Sequence, residues 1–128
     1  MIVIDTSALM AILLDEPPAQ AMLDAIDDAD AVCISAGTLA ECYIVARGKN
    51  VHDEMRRLLA GIAPAVVDVD PLTADQIGEA YGRFGKGFHP ARLNFGDMFS
   101  HVAARVLDAP LLFVGEDFAV TDLRPALA

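Results

Sequence analysis

Four carboxylates in this chain stand where a carboxylate can do chemistry: Asp5, Glu41, Asp97 and Asp117. Asp5 directly follows the apolar run Ile2-Val3-Ile4. Glu41 is the only acid between Ala31 and Lys49, inside Thr-Leu-Ala-Glu-Cys-Tyr-Ile-Val-Ala, and the nearest base in sequence is Arg47. An unpaired buried carboxylate is costly or neutralises itself, so Glu41 calls for a distant cation or a metal. Asp97 opens a helix after Asn94-Phe95-Gly96, where the helix dipole favours negative charge. The stretch before it, between Glu79 and Asp97, contains no acid but holds Arg83, Lys86 and Arg92. Glu116 and Asp117 follow the last core strand after Gly115, and Asp122 comes soon after.

Each residue also has a plain structural reading. Asp5 and Asp97 can cap helices, Glu41 can sit in an ion pair, and Gly-Glu-Asp is by default a solvated turn. The three bases can be ordinary surface charge. The set says more than its members. Acids without His or Cys companions are hard oxygen donors suited to Mg2+ or Mn2+. Two such ions ~4 Å apart can activate water and stabilise the leaving oxygen in phosphodiester hydrolysis. Without metal, gathered carboxylates raise one another's pKa values.

Other chemistries find no support. His52, His89 and His101 form no HxxxH or HExxH pair, and Cys33 and Cys42 fit no zinc spacing and no CxxC pair. Gly85-Lys86-Gly87 is not a phosphate-binding loop, because GxxxxGK[ST] is absent. There is no GxGxxG and no recognisable Ser-His-Asp order.

The elements that must position these acids alternate. Residues 2–4, 32–34, 65–69 and 111–114 read as largely apolar strands. Helices are expected over 8–14 with Thr6 and Ser7 as caps, from Pro17-Pro18 to about 28, and over 37–47 after Ser35 with Gly48 as its stop. Further helices are expected over 51–62, over 74–84 capped by Thr73, and over 96–107. Residues 85–95 read as a Gly/Pro loop. Buried strands alternating with helices predict a three-layer α/β/α domain spanning 1–128, with a central, mainly parallel sheet of four to five strands. In such sheets ligands bind beyond the carboxyl ends of the strands, which is where Asp5 and Asp117 fall.

The chain has 128 residues and 55% hydrophobic but only 6% aromatic residues, so aliphatic side chains must fill the core. Its net charge of −10 argues against nucleic acid taken alone. The distribution modifies this: no Lys or Arg precedes Arg47, whereas eight acids do, and the 83–92 segment is basic. An acidic body suits a basic protein partner, and the acidic segment Asp15–Asp30 is a candidate contact. No run approaches the ~20 apolar residues of a membrane span, and the N-terminus does not read as a signal peptide. A cytoplasmic protein with buried free thiols is expected.

The opening Ile-Val-Ile-Asp-Thr-Ser-Ala, the isolated Glu41, Leu93-Asn94-Phe95-Gly96-Asp97 and the late Leu-Phe-Val-Gly-Glu-Asp-Phe together resemble the PIN-domain ribonucleases, and within them the VapC-type toxins of toxin–antitoxin pairs. The resemblance covers essentially the whole chain. It implies endonucleolytic, Mg2+- or Mn2+-dependent cleavage of RNA, inhibition by a cognate antitoxin, and a homodimer that assembles further with it. On the matching positions Asp5, Glu41 and Asp97 take the metal-binding roles and Asp117 the fourth. Thr6 or Ser7 would orient water or the first acid, with Asn94, Glu116 and Asp122 around the site and Arg83, Lys86 and Arg92 on RNA phosphates. Glu116 departs from the family, which often has Asn in a Gly-Asn-Asp-Phe turn; either Glu116 or Asp117 would then face the metal. Two alternatives are a haloacid-dehalogenase-like phosphatase, disfavoured because Ser7 stands where its second Asp is needed, and a catalytically inactive antitoxin-binding scaffold.

Overall fold

A computed structural model describes residues 1–127. Four strands and six helices follow in the order β1 (Ile2–Ile4), α1 (Thr6–Leu13), α2 (Ala19–Asp28), β2 (Val32–Ser35), α3 (Ala36–Gly48), α4 (His52–Ile62), β3 (Ala65–Val67), α5 (Pro71–Phe84), α6 (Phe95–Leu107) and β4 (Leu111–Leu112). The strands form one sheet in the order β3-β2-β1-β4, with every pairing parallel. From β1 the chain builds outward through β2 to β3, then crosses to the other side of β1 for β4. The order therefore reverses between β1 and β4, the switch point at whose carboxyl ends open α/β sheets bind ligands.

Alternation along the strands sends side chains to two cores. Ile2, Ile4, Ile34 and Leu112 pack under α1 to α4 with Leu9, Met22, Ile26, Cys42, Ala46, Met55 and Leu59. Val3, Cys33 and Leu111 pack under α5 and α6 with Phe84, Met98, Ala103 and Ala104. This is the three-layer α/β/α arrangement expected from the sequence. Both cysteines are buried free thiols, and no described helix is long and apolar enough to cross a membrane.

Several boundaries differ from expectation for local reasons. Asp5 itself caps α1, its side chain accepting from the Ser7 amide, so the helix begins at Thr6 and not after Ser7. Asp70, not Thr73, caps α5, and Pro71 occupies the first turn, where it loses no hydrogen bond. Gly48 lies within α3, whose C-cap is Lys49. The strands expected over 65–69 and 111–114 are only three and two residues long. Both lie at sheet edges, where a strand is paired on one side alone. Beyond β4 the chain returns to the sheet at a single bridge, Leu111 with Pro125, rather than through a full fifth strand.

Candidate active site

Asp5 stands at the carboxyl end of the central strand β1 and is almost fully buried, at 4% exposure. Its amide donates to the Leu112 carbonyl, tying it to β4. Oδ2 accepts from the Ser7 amide at 3.1 Å and from Ser7 Oγ at 2.7 Å. Ser7 Oγ in turn accepts from the Val114 amide at 3.0 Å, anchoring the strand-end loop after β4. Oδ1 accepts from Ser100 Oγ on α6 at 2.6 Å.

Glu41 reaches the same region from α3. Thr6 Oγ1 donates to its Oε1 at 2.6 Å, and the Cys42 thiol donates to Thr6 at 3.6 Å. Burial pushes that thiol up to about 12, so it remains a protonated donor. Gly96 lies directly against the carboxylate: a β-carbon there would overlap Oε2. Burial raises the Glu41 pKa, the Thr6 hydrogen bond opposes this, and the charge of Asp5 adds to it.

Asp97 occupies the third position of α6 in a capping box. The Asn94 amide donates to Asp97 Oδ2 at 2.9 Å, and the Asp97 amide donates to Asn94 Oδ1 at 3.0 Å. The capping role and exposure to the site coexist, since only one carboxylate oxygen is used by the cap. Burial pushes Asp97 up to about 6; the Asn94 amide opposes this, while the charges of Asp5, Asp117 and Glu41 reinforce it. Three acids from three other segments thus act electrostatically on Asp97. Asp117 is exposed on the loop after β4, beside Glu116; of the two, only Asp117 is among the charges acting on Asp97.

The remaining expected residues distribute as follows. Thr6 holds Glu41 and Ser7 holds Asp5, so both hydroxyls serve the acids directly. Asp122 accepts from Arg105 and lies 3.2 Å from His101 Nε2. His101 is buried, its Nδ1 has no partner, and Phe84 packs beside it at 5.1 Å. Burial, with the positive charges of Arg105 and Arg83, lowers it to about 4. The geometry therefore assigns its one proton to Nε2, facing Asp122. Arg83 lies over the Phe84 ring and lines a groove of about 260 Å3 between α5 and α6 with Glu79, His101 and Arg105; none of the four acids lines it. Lys86 and Arg92 are exposed on the 85–93 loop. Its feet are closed by Lys86 amide to Leu93 carbonyl and Leu93 amide to Phe84 carbonyl, immediately before the Asn94 cap. Arg92 takes a left-handed backbone, φ 54°.

Sequence reasoning missed Ser100, Thr38, Cys42 and Gly96. Ser100 and Thr38 are fully buried and 3.0 Å apart. A hydroxyl in the otherwise apolar run Met98-Phe99-Ser100 was the available signal for the first. For Gly96, it was a glycine inside a helical turn, where it disfavours helix.

The donor set suits a hard divalent ion. Among the described residues no cation pairs with Asp5, Glu41, Asp97 or Asp117. Nor do any three Asp, Glu, His or Cys side chains among them converge into a ready coordination shell. Mg2+ needs no such shell: it keeps several waters and uses one or two carboxylates directly. Asp5, Glu41, Asp97 and Asp117 are the residues that would hold such an ion, which would supply Lewis acidity there.

The model of the PIN domain family matches residues 2–123. The chain is 44% identical to "Ribonuclease VapC" of Mycolicibacterium smegmatis, over 94% of this chain and 96% of that one. It is 40% identical to "Ribonuclease VapC30" of Mycobacterium tuberculosis, over 94% and 95% of the two chains. Among solved structures it is similar to Mycobacterium tuberculosis VapC20, described as a sarcin-ricin loop cleaving toxin. That match has a TM-score of 0.74 and 17% identity, covering 98% of this chain and 100% of that one. A toxin–antitoxin complex from Klebsiella pneumoniae gives a TM-score of 0.72 at 16% identity, covering 95% and 93%.

Proposed function

Since the chain belongs to the PIN-domain family and is an endoribonuclease of the VapC toxin class, we propose that it hydrolyses RNA with a divalent ion, Mg2+ or Mn2+, held by Asp5 and Asp97. Glu41 and Asp117 complete the site. The observation that carries this is the grouping of the acids at the end of β1: Glu41 is held by Thr6, next to Asp5, and lies against Gly96, next to Asp97, whose carboxyl burial and the charges of Asp5, Asp117 and Glu41 push up to about 6. Such a cluster is in conflict with itself at neutral pH until a cation joins it. When bound, the ion supplies Lewis acidity toward the phosphodiester and the attacking water.

The chain's own residues do the rest. Ser7 holds Asp5 through Oδ2, Thr6 aims Glu41, and the Asn94 cap fixes Asp97. Glu41 and Asp117 orient the attacking water, and Glu41 accepts its single proton. Histidine is not needed as a base, and His101 is committed elsewhere, against Asp122. Lys86 and Arg92 contact RNA phosphates from the loop that leads into Asp97, and Arg83 extends this charge along the α5/α6 groove. Asp117 faces the ion, with Glu116 at the rim and Asp122 tied to Arg105.

The whole chain, 1–128, acts as one catalytic domain in the cytoplasm. Its partner is a cognate antitoxin, in keeping with structural relatives solved as toxin–antitoxin complexes, and the active form is a homodimer. Neither alternative is supported. Ser7, where a phosphatase of the haloacid-dehalogenase type needs a second Asp, is spent on holding Asp5, and the acid set is intact as a scaffold's need not be. The test is cleavage of RNA in Mn2+ by Asp5→Asn and Asp97→Asn variants shown to be folded. Both are expected to be inactive; activity at the wild-type level in either removes that residue from the site.

A further inference from the structure

We infer that Ser100, backed by Thr38, is a positioning residue that fixes Asp5 so that a single acceptor site, on Oδ1, remains to hold the ion. The inference rests on the metal-dependent reading above.

A carboxylate only accepts hydrogen bonds, and its two oxygens offer about four lone-pair sites. Ser7 fills both sites on Asp5 Oδ2, through its amide at 3.1 Å and its hydroxyl at 2.7 Å. Ser100 fills one on Oδ1 at 2.6 Å. One site on Oδ1 is left, so Asp5 takes the ion through one oxygen, in a direction set by the Ser100 bond.

The same count fixes the direction of the chain behind it. Ser100 has one hydroxyl hydrogen, which goes to Asp5. In the 3.0 Å contact between Thr38 and Ser100, Thr38 is therefore the donor. The sequence runs Thr38 to Ser100 to Asp5, and Thr38 and Ser100 are fully buried, so water cannot replace either link. Three elements are joined by it: α3, α6 and the end of β1. Thr38 lies one helical turn before Glu41 on α3, and Ser100 one turn after Asp97 on α6. The chain thus sets the spacing of the three acids as well as the orientation of one. Without Ser100, Asp5 is held on Oδ2 alone.

The experiment is calorimetric titration of the full chain with Mn2+ alone, for wild type, Ser100→Ala, Thr38→Val and Thr38→Ser, with thermal melts alongside. Ser100→Ala is expected to lose about 10- to 100-fold in Mn2+ affinity, the range typical of residues that orient a metal ligand. Thr38→Val, which removes the hydroxyl but keeps the shape, should lose several-fold, and Thr38→Ser, which keeps the donor, should stay within about twofold of wild type. At saturating Mn2+, kcat should fall in Ser100→Ala with KM for RNA nearly unchanged. Wild-type Mn2+ affinity in a folded Ser100→Ala overturns the inference and leaves the metal reading standing. No Mn2+ binding by wild type overturns both. Should Ser100→Ala fail to fold, Thr38→Val against Thr38→Ser decides: equal affinities overturn the inference.

Discussion

Glu41 and Gly96 are in direct contact: the carboxylate of one occupies the space a β-carbon on the other would need. A residue that weakens helices is thus retained inside the first turn of α6 because the acid of α3 lies against its backbone. Gly96→Ala should therefore separate stability from activity. Alanine favours the helix by up to about 1 kcal/mol over glycine, so the melting temperature should change little. The displaced Glu41 should lower kcat/KM for RNA by about tenfold or more, the scale of misplacing a group that serves the metal. Unchanged kcat/KM in a folded variant would show that Glu41 need not occupy this place.

Asp97 links the site to pH. Its folded pKa, about 6, lies above the ordinary 3.8. The folded state therefore holds this proton more tightly than the unfolded state does. The resulting stabilisation is fully present below about pH 3.8 and is lost as pH rises through about 6. In metal-free protein at pH 7 to 8, Asp97→Asn should be more stable than wild type, on the order of 1 kcal/mol after allowance for solvent screening. The advantage should disappear below about pH 4. Mn2+ should reverse the order, because an ion that binds only the folded wild type stabilises it. Chemical denaturation across pH, with and without Mn2+, checks both signs.

His101 carries the opposite dependence. Burial lowers it from 6.5 to about 4, so its contribution to stability is present above about 6.5 and is lost as pH falls toward 4. His101→Gln should flatten the acid limb of the stability profile between these values. It should leave Mn2+ affinity unchanged, since His101 faces Asp122 and Arg105 rather than the four acids. An unaltered acid limb would assign the acid sensitivity to other groups.

Lys86 and Arg92 serve binding if they contact phosphate. Lys86→Ala combined with Arg92→Ala should raise KM for RNA more than it lowers kcat, and the rise should shrink with added salt. Arg92 sits in a left-handed conformation, so Arg92→Gly relieves strain while removing the charge; it should raise KM without loss of stability. An unchanged KM would assign both charges to solvent.

The acids were legible in the sequence because each breaks a local pattern. Asp5 ends an apolar strand, Glu41 interrupts an apolar helix, and Asp97 follows a segment of bases. The alternation of strands and helices carried the three-layer fold for the same reason. Of the residues that support the acids, Thr6, Ser7 and Asn94 were legible as their sequence neighbours, and Ser100 and Thr38 were not. Ser100 and Thr38 read as small residues inside helices, and only the meeting of α3 with α6 makes them a hydrogen-bonded pair. Helix starts failed where a carboxylate competed with a hydroxyl for one cap: Asp5 prevailed over Thr6 and Ser7, and Asp70 over Thr73. The edge strand β4 stops short of its apolar run, since length there depends on a neighbour that exists on one side only, whereas β3 ends at Val67 because Asp68 interrupts the run.

The proposed chemistry is cleavage of RNA by these four carboxylates through a divalent ion. Its most direct measurement is cleavage of RNA by purified wild-type chain, freed of any bound inhibitor, with Mn2+, with excess chelator, and after Mn2+ is restored. A metal mechanism requires cleavage in the first and third conditions and none in the second. Cleavage that persists undiminished in excess chelator would contradict it.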